Sequence, residues 1–353
     1  MELSKEQERV VRSKEKHILV IASAAAGKTR TLTERVKYLL ENGADPKKMV
    51  VLTFTNHAAQ EMKERLGNPS CVFIGTIHSY CAYLLSKGNV DISSVLEEER
   101  FDELFSLIKE HLGCVEEVDY LLMDESQDTT GELASFILDV MKPKNYAFFF
   151  DPRQQIYDFS GSNPERIYAL AKRDDVTVYW LNDNYRNARE ILNFAKRILF
   201  SLSNFYQDTS HAKRIEKGKI VEIDYDPYYL LATIPKKDSY RDWFILCRTN
   251  NEVQHIADFL KQYKIPVDTF KQGDLTKEEL SFKMRMNTVK VLTIHSAKGL
   301  EAKNVVVIGA RFWNEEEKRL SYVAATRARD LLIWMKTKPN RKKAKNTVKM
   351  KRW

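Results

Sequence analysis

Short apolar runs of strand length, spaced by helix-length segments, constrain this chain more than any other feature. They read "HILVIA" (17–22), "MVVLTFT" (49–55), "YLLMDE" (120–125), "YAFFFD" (146–151) and "TVYWL" (177–181), then "WFILCR" (243–248), "VKVLTIH" (289–295), "NVVVIG" (304–309) and "LLIWMK" (331–336). Unbroken Val, Ile, Leu and Phe is what a strand buried on both faces requires. Helical patterns such as "KTRTLTERVKYLLENG" and "EVQHIADFLKQYK" lie between the runs. The alternation predicts an α/β fold in which mostly parallel sheets are flanked by helices. Two series predict two domains joined near 178–190, and 353 residues are enough for two cores of ordinary size.

The loop after the first run narrows the reading. "ASAAAGKT" (22–29) follows an apolar strand and precedes "RTLTERVKYLL", the strand–loop–helix order that a phosphate-binding loop needs. Backbone N–H groups at the helix start would surround phosphates, Lys28 would reach the β- and γ-phosphates, and the Thr29 hydroxyl would ligate Mg²⁺. Ala22, Ser23, Ala24, Ala25 and Ala26 stand before Gly27, where such loops commonly turn on further glycines that accept positive φ. In "YLLMDESQDTT", Asp124 and Glu125 end another apolar strand, the edge at which open α/β sheets bind ligands. Asp124 would hold Mg²⁺ and Glu125 would orient and deprotonate the attacking water. The alternative reading is an acidic helix cap, for which Asp128 and Thr129 also qualify.

Composition sets outer limits. Hydrophobic residues are 43% and charged residues 30%, an ordinary globular balance, and no apolar run has membrane-spanning length. The opening "MELSKEQERVV" is unlike a secretion signal, and Cys71, Cys81, Cys114 and Cys247 form neither a CxxC pair nor a zinc spacing. Reduced thiols and a cytoplasmic location, in a bacterial or virus-infected cell, are expected. The net charge of +8 belongs to the tail: "KTKPNRKKAKNTVKMKRW" (336–353) holds nine Lys or Arg and no acid, leaving the remainder at −1. Such a tail is expected to be a solvated, disordered extension, with added salt-sensitive affinity for nucleic-acid backbone as the functional alternative.

In order along nearly the whole chain, the motifs resemble those of a superfamily 1 helicase of the UvrD/Rep kind. "LSKEQ" resembles the adenine-reading motif, with Gln7 the reader; "TFTNHAAQEMKERL" (53–66) and "GTIHSY" (75–80) resemble strand-contacting motifs. "DESQDT" (124–129) resembles the Mg²⁺ and hydrolysis motif, and "DPRQQIYDFSGSNP" (151–164) the coupling motif in which Gln154 senses the γ-phosphate. "NDNYRNAREI" (182–191), "VKVLTIHSAKGLEAKNVVV" (289–307) and "RLSYVAATRARDLL" (319–332) resemble motifs of the second motor domain. The resemblance implies two tandem RecA-like domains with the nucleotide between them, ATP hydrolysis that drives 3′→5′ movement on single-stranded DNA, and unwinding at single-strand/duplex junctions. RNA stays open as a substrate. It nominates Arg186 and Arg327 as arginine fingers, Tyr185 with Arg30 as the adenine stack, and Glu301 as a nucleotide contact. Phe54, Asn56, Thr76, His78, Phe159 and His295 fall at strand-contacting positions; Phe54 and Phe159 could equally be core aromatics.

Departures from the family pattern are equally legible. Family members carry accessory domains at two internal positions, but here only residues 79–123 separate His78 from Asp124, and "QGDLTKEELSFKMRMN" (272–287) stands where the larger insertion belongs. The expected organisation is an N-terminal motor domain (1–180) with a vestigial helical insertion at about 82–117, a C-terminal motor domain (181–335) and the basic tail (336–353). A protein partner that replaces the missing accessory domain, or a translocase that displaces proteins without unwinding, follows as an alternative. Ser160 stands where Arg is usual, and Ala302 where Phe is usual.

Overall fold

The computed structural model describes residues 2–69, 71–101, 103–157, 161–203, 207–237, 239–271 and 274–336. Phe159 and Ser160, and the basic tail from Thr337 onward, lie outside the described residues. The chain divides into two compact units. One comprises Met1–Tyr185 with Ser201–Lys213, the other Arg186–Phe200 with the chain from Arg214 onward.

The first unit is built on six strands: β1 (His17–Ala22), β2 (Met49–Leu52), β3 (Phe73–Gly75), β4 (Tyr120–Met123), β5 (Asn145–Phe150) and β6 (Val176–Leu181). They pair in the order β3-β2-β4-β5-β1-β6, parallel throughout, with Leu19 opposite Phe148 and Leu52 opposite Met123. Alternate residues of each strand enter opposite cores. Leu19, Leu52, Leu121, Met123 and Phe148 face one, and Ile18, Val20, Val51, Leu122 and Phe149 the other. Each such side chain contributes about 1.5–3 kcal/mol on burial, which is why the runs show no polar alternation. The stretch expected as a vestigial insertion folds as short helices, including Ser93–Glu97 and Glu103–Glu110, whose Val95, Leu104, Phe105 and Ile108 complete the first core.

A two-residue pair, β7 (Asp183–Asn184) with β8 (His211–Ala212), closes this unit. The second unit holds β9 (Lys219–Asp224), β10 (Trp243–Cys247), β11 (Val267–Asp268), β12 (Val289–Thr293), β13 (Ala302–Ile308) and β14 (Ala328–Lys336). Their order is β11-β12-β10-β13-β14-β9, again parallel. Helices are started by local chemistry: Thr249 and Glu252 form a capping box for Asn250–Gln262, as do Thr276 and Glu279 for Lys277–Arg285. The expected α/β architecture of two parallel, helix-flanked sheets is therefore present. Among the described residues no helix is long and apolar enough to cross a membrane.

Candidate nucleotide site

Parallel topology places the loops after β1 and β4 at the same sheet edge, one strand apart. Here the two chemistry-bearing stretches meet. Thr29 Oγ1 donates to Asp124 Oδ2 at 2.6 Å, and Lys28 Nζ lies 3.6 Å from Glu125 Oε1. Lys28 is 8% exposed, a cation kept from solvent beside the acidic pair. Burial first, and then the charge of Glu125, push the Asp124 carboxyl up to about 6 against the opposing pull of Lys28 and Thr29. A buried carboxylate that is costly to ionise, sharing a hydrogen bond with a hydroxyl at a phosphate loop, suits a divalent cation. Mg²⁺ takes one or two protein oxygens and completes its shell with phosphate and water.

The alanine-filled loop is explained by where its carbonyls go. Ala24 O accepts from Asn184 Nδ2 at 2.9 Å, Ala25 O from the Tyr185 N–H at 3.3 Å, and Ala26 O from Gln7 Nε2 at 3.0 Å. Three successive carbonyls are thus tied to β7, its neighbour Tyr185 and the N-terminal helix Lys5–Val11. Gly27, at φ +79°, starts the helix Lys28–Glu41 with no side-chain cap, so this helix end presents backbone N–H groups to a ligand. A Cβ at Gly27 would meet Gln7 Nε2 at 2.6 Å and displace that amide, and the positive φ strains any other residue there. Ala25, by contrast, sits at φ +58°, where an L side chain is strained by about 1–2 kcal/mol.

Ala25→Gly is therefore expected to raise stability by about 0.5 kcal/mol, the strain relieved less the extra unfolded-state entropy of glycine. Urea denaturation checks it, and a loss of stability would show that the angle carries no strain.

Gln7 belongs to a capping box with Ser4, whose N–H donates to Gln7 Oε1 at 3.0 Å. The nominated adenine reader is thus also a brace for the loop. Tyr185 is 41% exposed, and its hydroxyl contacts Asp183 at 3.3 Å. Arg30 is half-buried in the first turn of Lys28–Glu41.

Sequence reading passed over Gln127. Its Nε2 donates to the Glu125 carboxylate while its Oε1 accepts from the Asp151 N–H at 3.0 Å. Asp151 in turn accepts from Gln154 Nε2 at 2.7 Å and from Arg153 Nε. One polar chain therefore joins the half-buried Glu125 to Gln154, and the signal for it was the amide within "DESQDT". Glu125 itself has φ +53°, a left-handed conformation uncommon for glutamate and typical of strained functional positions.

Loops after β2 and β3 leave the same edge of this sheet. Phe54 is 37% exposed, and Asn56 is exposed at the start of the helix Asn56–Arg65. Thr76 caps the helix Ile77–Lys87 by accepting from the Ser79 N–H. The His78 ring packs 5.3 Å from that of Phe105. The second unit carries the remaining nominees. Arg186 pairs with Glu301, which Arg329 also approaches at 3.8 Å. Burial raises the Glu301 carboxyl, but Arg186, Arg329 and Arg327 outweigh it and hold the group below its ordinary value. Arg327 is 1% exposed and donates to Val323 O, Leu300 O and Thr326 Oγ1. His295 is half-buried just after β12.

Comparison with known proteins points the same way. Residues 3–113 and 101–175 match the model of the UvrD/REP helicase N-terminal domain, and residues 270–338 that of the UvrD-like helicase C-terminal domain. The chain is 25% identical to a probable DNA helicase II homolog of Mycoplasma capricolum, in an alignment covering 82% of this chain and 55% of that protein. It is 27% identical to a putative ATP-dependent DNA helicase of Acanthamoeba polyphaga mimivirus, covering 82% and 45%. It is 22% identical to the ATP-dependent DNA helicase PcrA of Staphylococcus aureus, covering 75% and 50%. The chain spans about half the length of the curated relatives it matches.

Proposed function

The chain belongs to the UvrD/Rep-like superfamily 1 helicases, and from that premise we propose that it is an ATPase that moves 3′→5′ along single-stranded DNA and unwinds duplex. One observation carries the reading: the loop bearing Lys28 and Thr29 meets Asp124 and Glu125 at one sheet edge. Hydrolysis of the terminal anhydride builds negative charge on the γ-phosphoryl oxygens, and Lys28 supplies a fixed, partly desolvated cation to it. Glu125 accepts the proton of the attacking water on its carboxylate, held in place by Gln127. Mg²⁺, held by Thr29 and Asp124, would neutralise charge on the β- and γ-oxygens. Gln154, linked through Asp151 and Gln127 to Glu125, is assigned the sensing of the γ-phosphate. Arg186 and Arg327 are assigned to the developing charge. A phosphate must compete with Glu301 for the first, and with Leu300 O and Thr326 Oγ1 for the second.

Phe54, Asn56, Thr76, His78, Phe159 and His295 are assigned to the single strand, through stacking and backbone contact. Steady-state ATP hydrolysis titrated with single-stranded DNA, single-stranded RNA and blunt duplex tests the proposal. Strong stimulation by single-stranded DNA that weakens with salt is expected, and a rate indifferent to all three would end it. A second reading, protein displacement without unwinding, is favoured by a specific observation. Where family members carry their larger insertion, the described residues of this chain form the helix Lys277–Arg285. Parallel assays on a forked duplex and on a strand carrying a bound protein block separate the two.

A further inference from the structure

The segment Ser201–Lys213 packs with the first unit, yet the residues on either side of it, Arg186–Phe200 and Arg214 onward, belong to the second. It is a strap tied covalently at both ends to the other half of the protein. From it a carboxylate, Asp208, enters the nucleotide-binding unit with no exposed side-chain surface. Asp208 Oδ1 accepts from Ser23 Oγ of the phosphate loop at 3.0 Å and from the Ser210 N–H at 2.9 Å, and lies 3.5 Å from Arg153 Nη1. Arg153 also donates to Gln207 O at 3.2 Å and pairs with Asp151, the acceptor for Gln154. A buried ion pair is a poor source of net stability against apolar packing. This one links the two stretches that must be positioned against the same phosphate.

We propose that Asp208 is a positioning residue for the nucleotide site: it holds the phosphate loop through Ser23 and the Gln154 segment through Arg153. The inference rests on the reading that this loop binds ATP. Because Ala22, Ala24, Ala25 and Ala26 offer no polar side chain, the Ser23 hydroxyl is the loop's own handle before Lys28. The strap pulls on that handle from one side while Asn184, Tyr185 and Gln7 hold the carbonyls of Ala24, Ala25 and Ala26.

The two ends of the link predict different kinetic signatures. Ser23→Ala removes the loop's handle yet leaves Asp208 with Arg153 and the Ser210 amide, so no buried charge is stranded. KM for ATP and the dissociation constant of a fluorescent ATP analogue are expected to rise about tenfold, with kcat little changed. Asp208→Asn keeps an acceptor for Ser23 but removes the charge facing Arg153. Here kcat is expected to fall about tenfold as Gln154 loses its placement, with KM nearly unchanged. Thermal midpoints are recorded for both variants. Wild-type KM and kcat in both, with only a lowered midpoint, would overturn the proposal and leave Asp208 as a fold-stabilising group. Failure of the wild-type protein to bind the analogue would instead overturn the ATP reading, and this inference with it.

Discussion

Lys28→Ala is expected to lower kcat/KM for ATP about a thousandfold, the scale set by removing a fixed charge from a developing phosphoryl transition state. The structure makes this more than a binding defect. Lys28 is buried and its ammonium stands 3.6 Å from Glu125 Oε1, and its charge opposes the burial that pushes the Asp124 carboxyl up, so the proposed phosphate cation also acts on the carboxylates beside it. Without it, Asp124 keeps the burial and the Glu125 charge that push its carboxyl up and loses the cation that opposes them. Loss of catalysis should therefore exceed loss of affinity. The measurement is steady-state hydrolysis beside equilibrium binding of an ATP analogue, with single-stranded DNA present. An undiminished rate would place hydrolysis elsewhere or in a contaminant.

Much of this arrangement was legible in the residues, for a physical reason. Strands buried on both faces leave unbroken apolar runs, and each of the nine stretches read as strands overlaps a strand of the folded protein. The strands that escaped were short or polar. β3 is three residues, and β9, "KIVEID", sits at the sheet edge with alternating exposed positions. No apolar run announces such an edge. The Lys28–Thr29 and Asp124–Glu125 meeting was legible because parallel topology forces loops after β1 and β4 to one edge. What the residues did not reveal was the support behind them. Asn184, Gln127, Asp151 and Asp208 act through hydrogen bonds between segments far apart in sequence, and amides and carboxylates in loops look alike whether they cap, solvate or brace. The return of Ser201–Lys213 to the first unit was equally hidden, because a crossing of that kind has no composition of its own.

Glu125→Gln should separate binding from chemistry more cleanly than any other single change. The substitution keeps side-chain length and shape but removes the carboxylate proposed to take the proton of the attacking water, and loss of a positioned general base costs about 10²–10⁴ in rate. Affinity for ATP should hold or improve. A negative charge is withdrawn from the neighbourhood of the γ-phosphate, and Lys28 is released from its 3.6 Å contact to serve phosphate alone. The residue sits at φ +53°, so the backbone there is already fixed by its surroundings, and glutamine inherits that cost unchanged. The Gln127 amide next to it can donate to the new carbonyl as it does to the carboxylate, provided the new amide turns its own N–H₂ away. The expected protein is one that holds ATP and single-stranded DNA together without turnover. Single-turnover hydrolysis measures the chemical step directly, and filter binding on labelled single strands measures the trapped state. A variant that hydrolyses ATP at the wild-type single-turnover rate would remove Glu125 from the chemistry. It would leave its left-handed backbone and its bond to Gln127 as features of the fold, and would move the search for the base to another group within reach of the γ-phosphate.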